Sequence, residues 1–383
     1  MRTGTFKKAY RHIQQAWHLK QWLKHLFIPV MACRPVSSLA TRLFGNGIPI
    51  FMLHRLNQTD KSRAGHTPSY LRRCLDYLGE NDFNFVSIEA IFAYLRGESP
   101  LPSKPVAFTM DDGFIDQATI AAPIFIEYNC PVTVFLITGM LDGNLWPWFD
   151  QVDYYLTNTR NSVIHLQTPR GRQTFRLGNP RKKSQAIYLI HRLMKEMGDA
   201  SLTEALADLI SATEVKIAEK TPEGHKPLTW EMARELEKKG IRFGPHTVNH
   251  RILSRLENAD MEFEITASWE RLQDELAHPC PVFCYPNGRI ADFGIREIEA
   301  VKKTGFIGAL SSIQSQVDRN TFDDYLYRLP RLSLPASFDD FIQYCSWIQH
   351  AKEKIRRISP HNQFSAISPK SAHGTTSPDS FRT

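Results

Sequence analysis

Seven short apolar runs constrain this chain more than any other feature of its 383 residues. In order they are "IPIFML", "VAFTM", "VTVFLI", "IRFG", "VFCY", "FIGAL" and "LPRLSL", and each reads as a short buried strand. Helical segments lie between several of them. "TWEMARELEKKG" offers Thr229 as N-cap and Gly240 as C-cap. "ADMEFEITASWERLQDELAH" carries an apolar stripe at Met261, Ile265, Trp269 and Leu272. Strand–helix alternation predicts an α/β fold with parallel strands, and seven strands predict a distorted, incomplete (β/α)7 barrel. In such folds the chemistry sits at the C-terminal ends of the strands.

One stretch breaks the rhythm. From Leu141 to Lys226 the gap between the third and fourth strands is too long for a simple crossover. It contains "LWPWFDQVDYYL", a basic loop "PRGRQTFRLGNPRKK" and a helical "QAIYLIHRLMKEMG". We read 141–226 as an insertion that forms a lid or wall over the site.

The ends differ from the middle. Residues 1–45 form a basic N-terminal segment, 46–345 the main domain and 359–383 a Ser-, Pro- and Thr-rich tail expected to be disordered. Between Met1 and Thr59 there are nine Lys or Arg and no acid, against a net charge of +7 for the whole chain. Tyr10, Ile13, Trp17 and Phe27 recur at roughly helical intervals within it. A basic amphipathic helix suits peripheral contact with an anionic membrane face, and equally a solvated helix packed on the domain. "LFIPVMAC" faintly resembles a lipoprotein cleavage site, so export stays open beside the cytoplasmic reading. Six scattered cysteines do not form a disulfide framework and favour a reducing compartment. No aromatic–basic pattern suggests nucleic acid as a partner.

Three strand ends carry candidate chemistry. "VAFTMDDGF" places Asp111 and Asp112 side by side where the second run should leave the core. Two adjacent buried carboxylates repel and demand a cation or a proton. "FGPHTVNH" follows the fourth run and presents His246 and His250. In extended chain they would stand about 13 Å apart; a helical turn after Pro245 would put them on one face, at a spacing that suits a shared metal. Two His and one carboxylate with open positions is a catalytic metal pattern. "VFCYPNGR" runs into a turn at Pro286, Asn287 and Gly288 that can aim backbone N–H groups at an oxyanion.

In this order the three pieces resemble the motifs of the polysaccharide deacetylases with a NodB-homology domain, carbohydrate esterase family four. The resemblance covers roughly residues 46–340 and implies roles by position. Asp112, His246 and His250 would hold a divalent ion, commonly zinc in that family, with Co2+, Ni2+ and Mn2+ as alternatives. Asp111 would be the general base. The turn at Tyr285–Asn287 would serve substrate and oxyanion.

Two departures from the family pattern stand out. The Arg that usually precedes the third-motif turn is replaced by Cys284, which leaves Arg331 or Arg289 to tune the base. The usual closing Leu-x-His motif is missing, and the ordered chain after residue 330 offers only His350. "IPIFMLHRL" instead ends in His54, which resembles the opening strand of deacetylases with this motif permuted to the N-terminus. In a closed barrel the first and last strands are neighbours, so His54 would be the general acid.

The reaction so implied is metal-dependent removal of N-acetyl groups from an amino-sugar polysaccharide or lipid-linked glycan, in exopolysaccharide or cell-envelope glycan synthesis. Two alternatives remain at this stage. One is the same site acting on O-acetyl esters or other non-peptide amides. The other is a non-catalytic glycan-binding domain.

Overall fold

The computed structural model describes residues 34–56, 65–168, 171–218, 220–318 and 323–358, together with Phe27, Ile28 and Met31. The amphipathic positions Tyr10, Ile13 and Trp17 and the tail 359–383 lie outside the described residues.

The described residues form ten strands: β1 (Ile50–Leu53), β2 (Asn84–Phe85), β3 (Pro105–Asp112), β4 (Val132–Leu136), β5 (Val163–Thr168), β6 (Gly171–Arg176), β7 (Arg242–Pro245), β8 (Val282–Cys284), β9 (Gly308–Leu310) and β10 (Leu332–Ser333). All seven apolar runs become strands, namely β1, β3, β4 and β7 to β10. All eight residues of β3 are buried. A strand covered on both faces needs continuous apolar sequence instead of alternation, which is why these runs stood out.

The parallel order β10-β1-β3-β4-β7 forms the main sheet, and β8 pairs with β9 alongside it. Backbone hydrogen bonds carry the curve across the remaining gaps. Cys280 N–H donates to the Phe243 carbonyl at 2.7 Å, Leu329 N–H to Ala309 at 2.9 Å and Ser311 N–H to Leu329 at 2.8 Å. The result is a distorted seven-stranded ring. Gly244 sits at the seam between β7 and β8, where a Cβ would lie 3.0 Å from the Val282 carbonyl oxygen and 2.7 Å from the Phe135 ring.

Helices pack outside the ring, several of them begun by side-chain caps. Thr67, Ser87 and Thr229 accept from backbone N–H groups three residues on, as N-caps do. Gly240, at φ +92°, closes the chain after the helix Trp230–Glu237. The helix Arg34–Phe44 packs against Trp347–Ile358. No described helix is long and apolar enough to cross a membrane.

The stretch 141–226 does leave the ring after β4. It folds as helix Trp148–Asn158, the antiparallel hairpin β5–β6, and helices Pro180–Met194 and Asp199–Thr213. These elements share their own apolar core around Tyr155, Leu156, Ile164, Ile190 and Leu209.

Charged linkages join this unit to the ring, among them Arg271 to Asp142 at 2.9 Å and a cluster around Arg55. Arg55, just after β1, pairs with Asp116 at 3.0 Å and Asp150 at 3.4 Å, and donates to the Gly224 carbonyl at 2.6 Å. Asp150 also accepts from Trp146 Nε1 at 2.6 Å and contacts His225 Nδ1 at 2.7 Å. A cleft of about 690 Å3 lies between the insertion and the ring mouth.

Candidate metal-centred active site

The C-terminal ends of β1, β3 and β10 line this cleft, and those of β7 and β8 meet the β3 end beside it. Asp111 and Asp112 end β3 and are 2% and 3% exposed. Asp112 turns the chain at φ +84° and Gly113 follows at +87°. A left-handed non-glycine costs on the order of 1–3 kcal/mol and persists only where its surroundings fix it. Thr247, His250 and Asn287 share this conformation, at φ +66°, +56° and +57°. Four such residues therefore lie at the strand ends that carry the motifs.

The two carboxylates have opposite fates. Arg331, 1% exposed, forks onto Asp111 with both bonds at 2.7 Å. It also donates to the Ser311 carbonyl at 2.9 Å, Thr109 Oγ1 at 3.0 Å and Cys284 Sγ at 3.1 Å. Burial pushes the Asp111 carboxyl up, but the Arg331 charge and its hydrogen bonds outweigh this and hold it well below the usual carboxylate range. Asp112 lacks such a partner. Burial, reinforced by the Asp111 charge, drives its pKa well above the ordinary value.

Asp112 instead faces the two histidines. Its Oδ1 lies 3.8 Å from His246 Nε2 and 3.6 Å from His250 Nε2, and the imidazole centroids are 4.9 Å apart. Three donors around one tetrahedral zinc would stand about 3.4 Å apart, so small shifts bring this set to a divalent ion. Both rings are buried, which lowers the pKa of His246 to about 4 and that of His250 well below its ordinary value. Their lone pairs are thus available for a metal. His246 Nδ1 lies 2.8 Å from the Cys284 carbonyl. That contact makes Nδ1 the protonated nitrogen and Nε2 the free donor. Among the described residues, a second trio of donors brings together Asp111, His246 and Cys284. It is the poorer metal site, because Arg331 occupies both Asp111 oxygens and burial pushes the Cys284 thiol up.

The segment after Pro245 is neither extended strand nor helix, so it takes neither of the two conformations weighed from spacing. His250 N–H donates to Thr247 Oγ1 at 2.9 Å, closing a side-chain-capped turn. Glu264, fully buried, accepts from Val248 N–H at 2.9 Å, Asn249 N–H at 2.8 Å and Asn249 Nδ2 at 2.9 Å. The turn is therefore held from outside, and sequence reasoning missed Glu264. An acid on the same helix face as Met261, Ile265 and Leu272 was the available signal.

His54 follows β1, with its side chain half-exposed and Nε2 4.0 Å from Asp111 Oδ2. Desolvation by its surroundings lowers its pKa, and the Asp111 charge opposes that shift. Gln117, also missed, ties this end of β1 to β3 by donating to the His54 carbonyl at 2.6 Å and to the Asp111 carbonyl. His350 is buried in the helix Trp347–Ile358, close to Gly45.

The remaining expected residues divide. Arg331, and not Arg289, reaches Asp111. Arg289 is exposed, and its backbone N–H bonds Asp292 at 3.0 Å. Tyr285 is a correction as an oxyanion donor. Its N–H is committed to the Leu310 carbonyl at 3.2 Å and its hydroxyl to Tyr327 at 3.1 Å, while its buried ring stacks on Phe293 at 4.1 Å. Its ring supports the turn. Pro286 and Asn287 form the turn itself, where Gly288 N–H donates to the Pro286 carbonyl at 2.6 Å.

Residues 182–306 match the family model described as polysaccharide deacetylase. This span includes His246, His250 and the Tyr285–Asn287 turn and begins inside the insertion. Solved structures share the fold. A deacetylase, PplD, of Streptococcus pyogenes is 18% identical, with a TM-score of 0.52 over 79% of this chain and 98% of that one. IcaB from Ammonifex degensii is 17% identical, with a TM-score of 0.51 over 80% and 98%. A de-N-acetylase from Aggregatibacter actinomycetemcomitans is 15% identical, with a TM-score of 0.51 over 78% and 100%. No curated protein matches the chain.

Over residues 182–306 the chain is similar to the polysaccharide deacetylases, and it shares its fold with these solved structures.

Proposed function

We propose that the chain removes N-acetyl groups from an amino-sugar glycan at a divalent metal held by Asp112, His246 and His250. The convergence of these three donors beside Asp111 and His54 carries the reading. When bound, the ion, zinc in our assignment, would supply a polarised water and Lewis-acid stabilisation of the acetyl carbonyl.

The chain's own groups do the rest. Arg331 keeps Asp111 anionic and fixes its plane, so that Asp111 accepts the proton of the attacking water. In this reading the turn at Pro286 and Asn287 would serve the oxyanion. His54 donates a proton to the departing nitrogen, and the products are acetate and a free amino sugar. Phe149 of the insertion lies 4.9 Å from the His250 ring and walls the site on that side.

The test is mass spectrometry of N-acetylated oligosaccharides and lipid-linked sugars after incubation with zinc-loaded protein. Loss of acetyl groups supports the reading; unchanged masses with the metal bound would overturn it.

We further assign the chain to exopolysaccharide or cell-envelope glycan synthesis, working at the cytoplasmic membrane face. The acid-free basic start supports peripheral membrane contact. Removing residues 1–26 should weaken binding to anionic vesicles at low salt, and equal binding of both forms would remove that part.

A further inference from the structure

The insertion carries an unusual charge pattern. Residues 154–195 contain nine Lys or Arg and no Asp or Glu. With the first 59 residues, also acid-free and carrying nine cations, they leave the remainder of the chain at a net −11 out of the total of +7. A basic run is most often a solvated face, but solvated faces mix signs. Here Arg160, Arg172, Arg176, Arg181, Lys182 and Arg192 are exposed, and none makes an ion pair among the described residues. Like charges gathered without partners repel one another, so such a face gains from an anionic ligand.

Its position gives the ligand a direction. On the helix Pro180–Met194 and its capping residue Lys195, the side chains of Arg181, Ser184, Tyr188, His191, Arg192 and Lys195 fall within about 100° of one another at 3.6 residues per turn. Ser184, Tyr188 and His191 line the cleft that holds His54 and Asp112. The same stripe thus has cations at both ends and cleft-lining residues between them. Lys195 lies at the reaction end, near enough to act on the charges of Asp112 and His54. Arg181 stands fourteen residues back, about 21 Å along the axis. Tyr188, 64% exposed, offers a ring midway. The stripe is too long for one sugar to span.

We propose that this helix face is a binding track for an anionic glycan. The substrate would be an N-acetylated polysaccharide bearing carboxylate or phosphate groups along its length. Acidic groups of the chain pair with Arg181, Arg192 and Lys195, and a sugar face stacks on Tyr188, while the N-acetyl unit sits at Asp111 and Asp112. This rests on the deacetylase reading for the reaction end only; the track itself is a binding site.

The test is equilibrium binding of fluorescent hyaluronan octasaccharide, which alternates uronate and N-acetylglucosamine, against chitin oligosaccharide of matched length, both to the full-length protein. We expect the hyaluronan fragment to bind more tightly and to weaken with salt. Arg181→Glu/Arg192→Glu should weaken it about tenfold or more and leave chitin binding unchanged. Arg181→Lys/Arg192→Lys should restore most of the loss, and Tyr188→Ala should weaken both ligands. Equal affinity for the two sugars, or hyaluronan binding indifferent to charge reversal, would overturn the track. A charge-reversal effect confined to anionic vesicles would also overturn it and make the face a membrane contact. Acetate release is read in parallel. Selective binding without release from any sugar would fault the deacetylase reading and leave the track standing.

Discussion

Arg331 and Asp111 meet in a two-pronged pair, Nη1 to Oδ1 and Nη2 to Oδ2, both at 2.7 Å and both shut off from water. The residues are 220 positions apart, and the pair joins β3 to the chain entering β10. It separates two adjacent carboxylates into an ionised, oriented base and a neighbour left for a cation.

Removing Arg331 strands the Asp111 charge. Arg331→Met should cost about 3–5 kcal/mol of stability, the usual result of breaking a buried pair from one side. Acetate release should fall by about a hundredfold or more as the base loses its orientation. Arg331→Lys should recover only part, because an ammonium cannot fork onto a carboxylate. Urea unfolding and turnover are the measurements. A Met variant as stable as the parent would contradict the pairing.

Glu264 touches none of the three ligands directly but holds the turn that aims His250. Groups of this kind typically tune metal affinity by about 10–100-fold. Glu264→Ala should therefore weaken zinc binding to that extent in calorimetry, with β7 and His246 undisturbed. Unchanged zinc affinity would show that the turn holds itself.

Asp111 and His54 should separate by leaving group. An amine departs only with a proton, whereas an activated acetate ester leaves as a stable anion. His54→Ala should be far more damaging on an N-acetyl sugar than on the ester, and Asp111→Asn should damage both by about a hundredfold to ten-thousandfold. Equal losses for His54→Ala on the two substrates would remove it as the acid.

The ring was legible because its strands are buried on both faces and so appear as apolar runs. The Asp–Asp and His–His pairs were legible as residue types that rarely gather at strand ends without chemistry. β6 and the first turn of the helix Pro180–Met194 were read together as a basic loop, because the exposed positions of β6 include Arg172 and Arg176. At His246–His250 spacing alone left extended and helical chain both open, because it cannot reveal left-handed residues at Thr247 and His250, or an acid from another element that fixes them. Arg331 and Arg289 could not be separated in sequence, since the choice depends on which side of the ring each faces. Tyr285 looked like a donor only while its strand partner Leu310 was unknown.

Metal content of the purified variants tests the central claim most directly. Mass spectrometry of bound metal should find about one divalent ion per parent chain. Asp112→Ala, His246→Ala and His250→Ala should each lose most of it under the same dialysis. Asp111→Asn and His54→Ala should keep it and yet be inactive on N-acetyl sugars. Retention of the ion by the three ligand variants, or its loss from Asp111→Asn, would contradict the assignment of Asp112, His246 and His250 as the metal site.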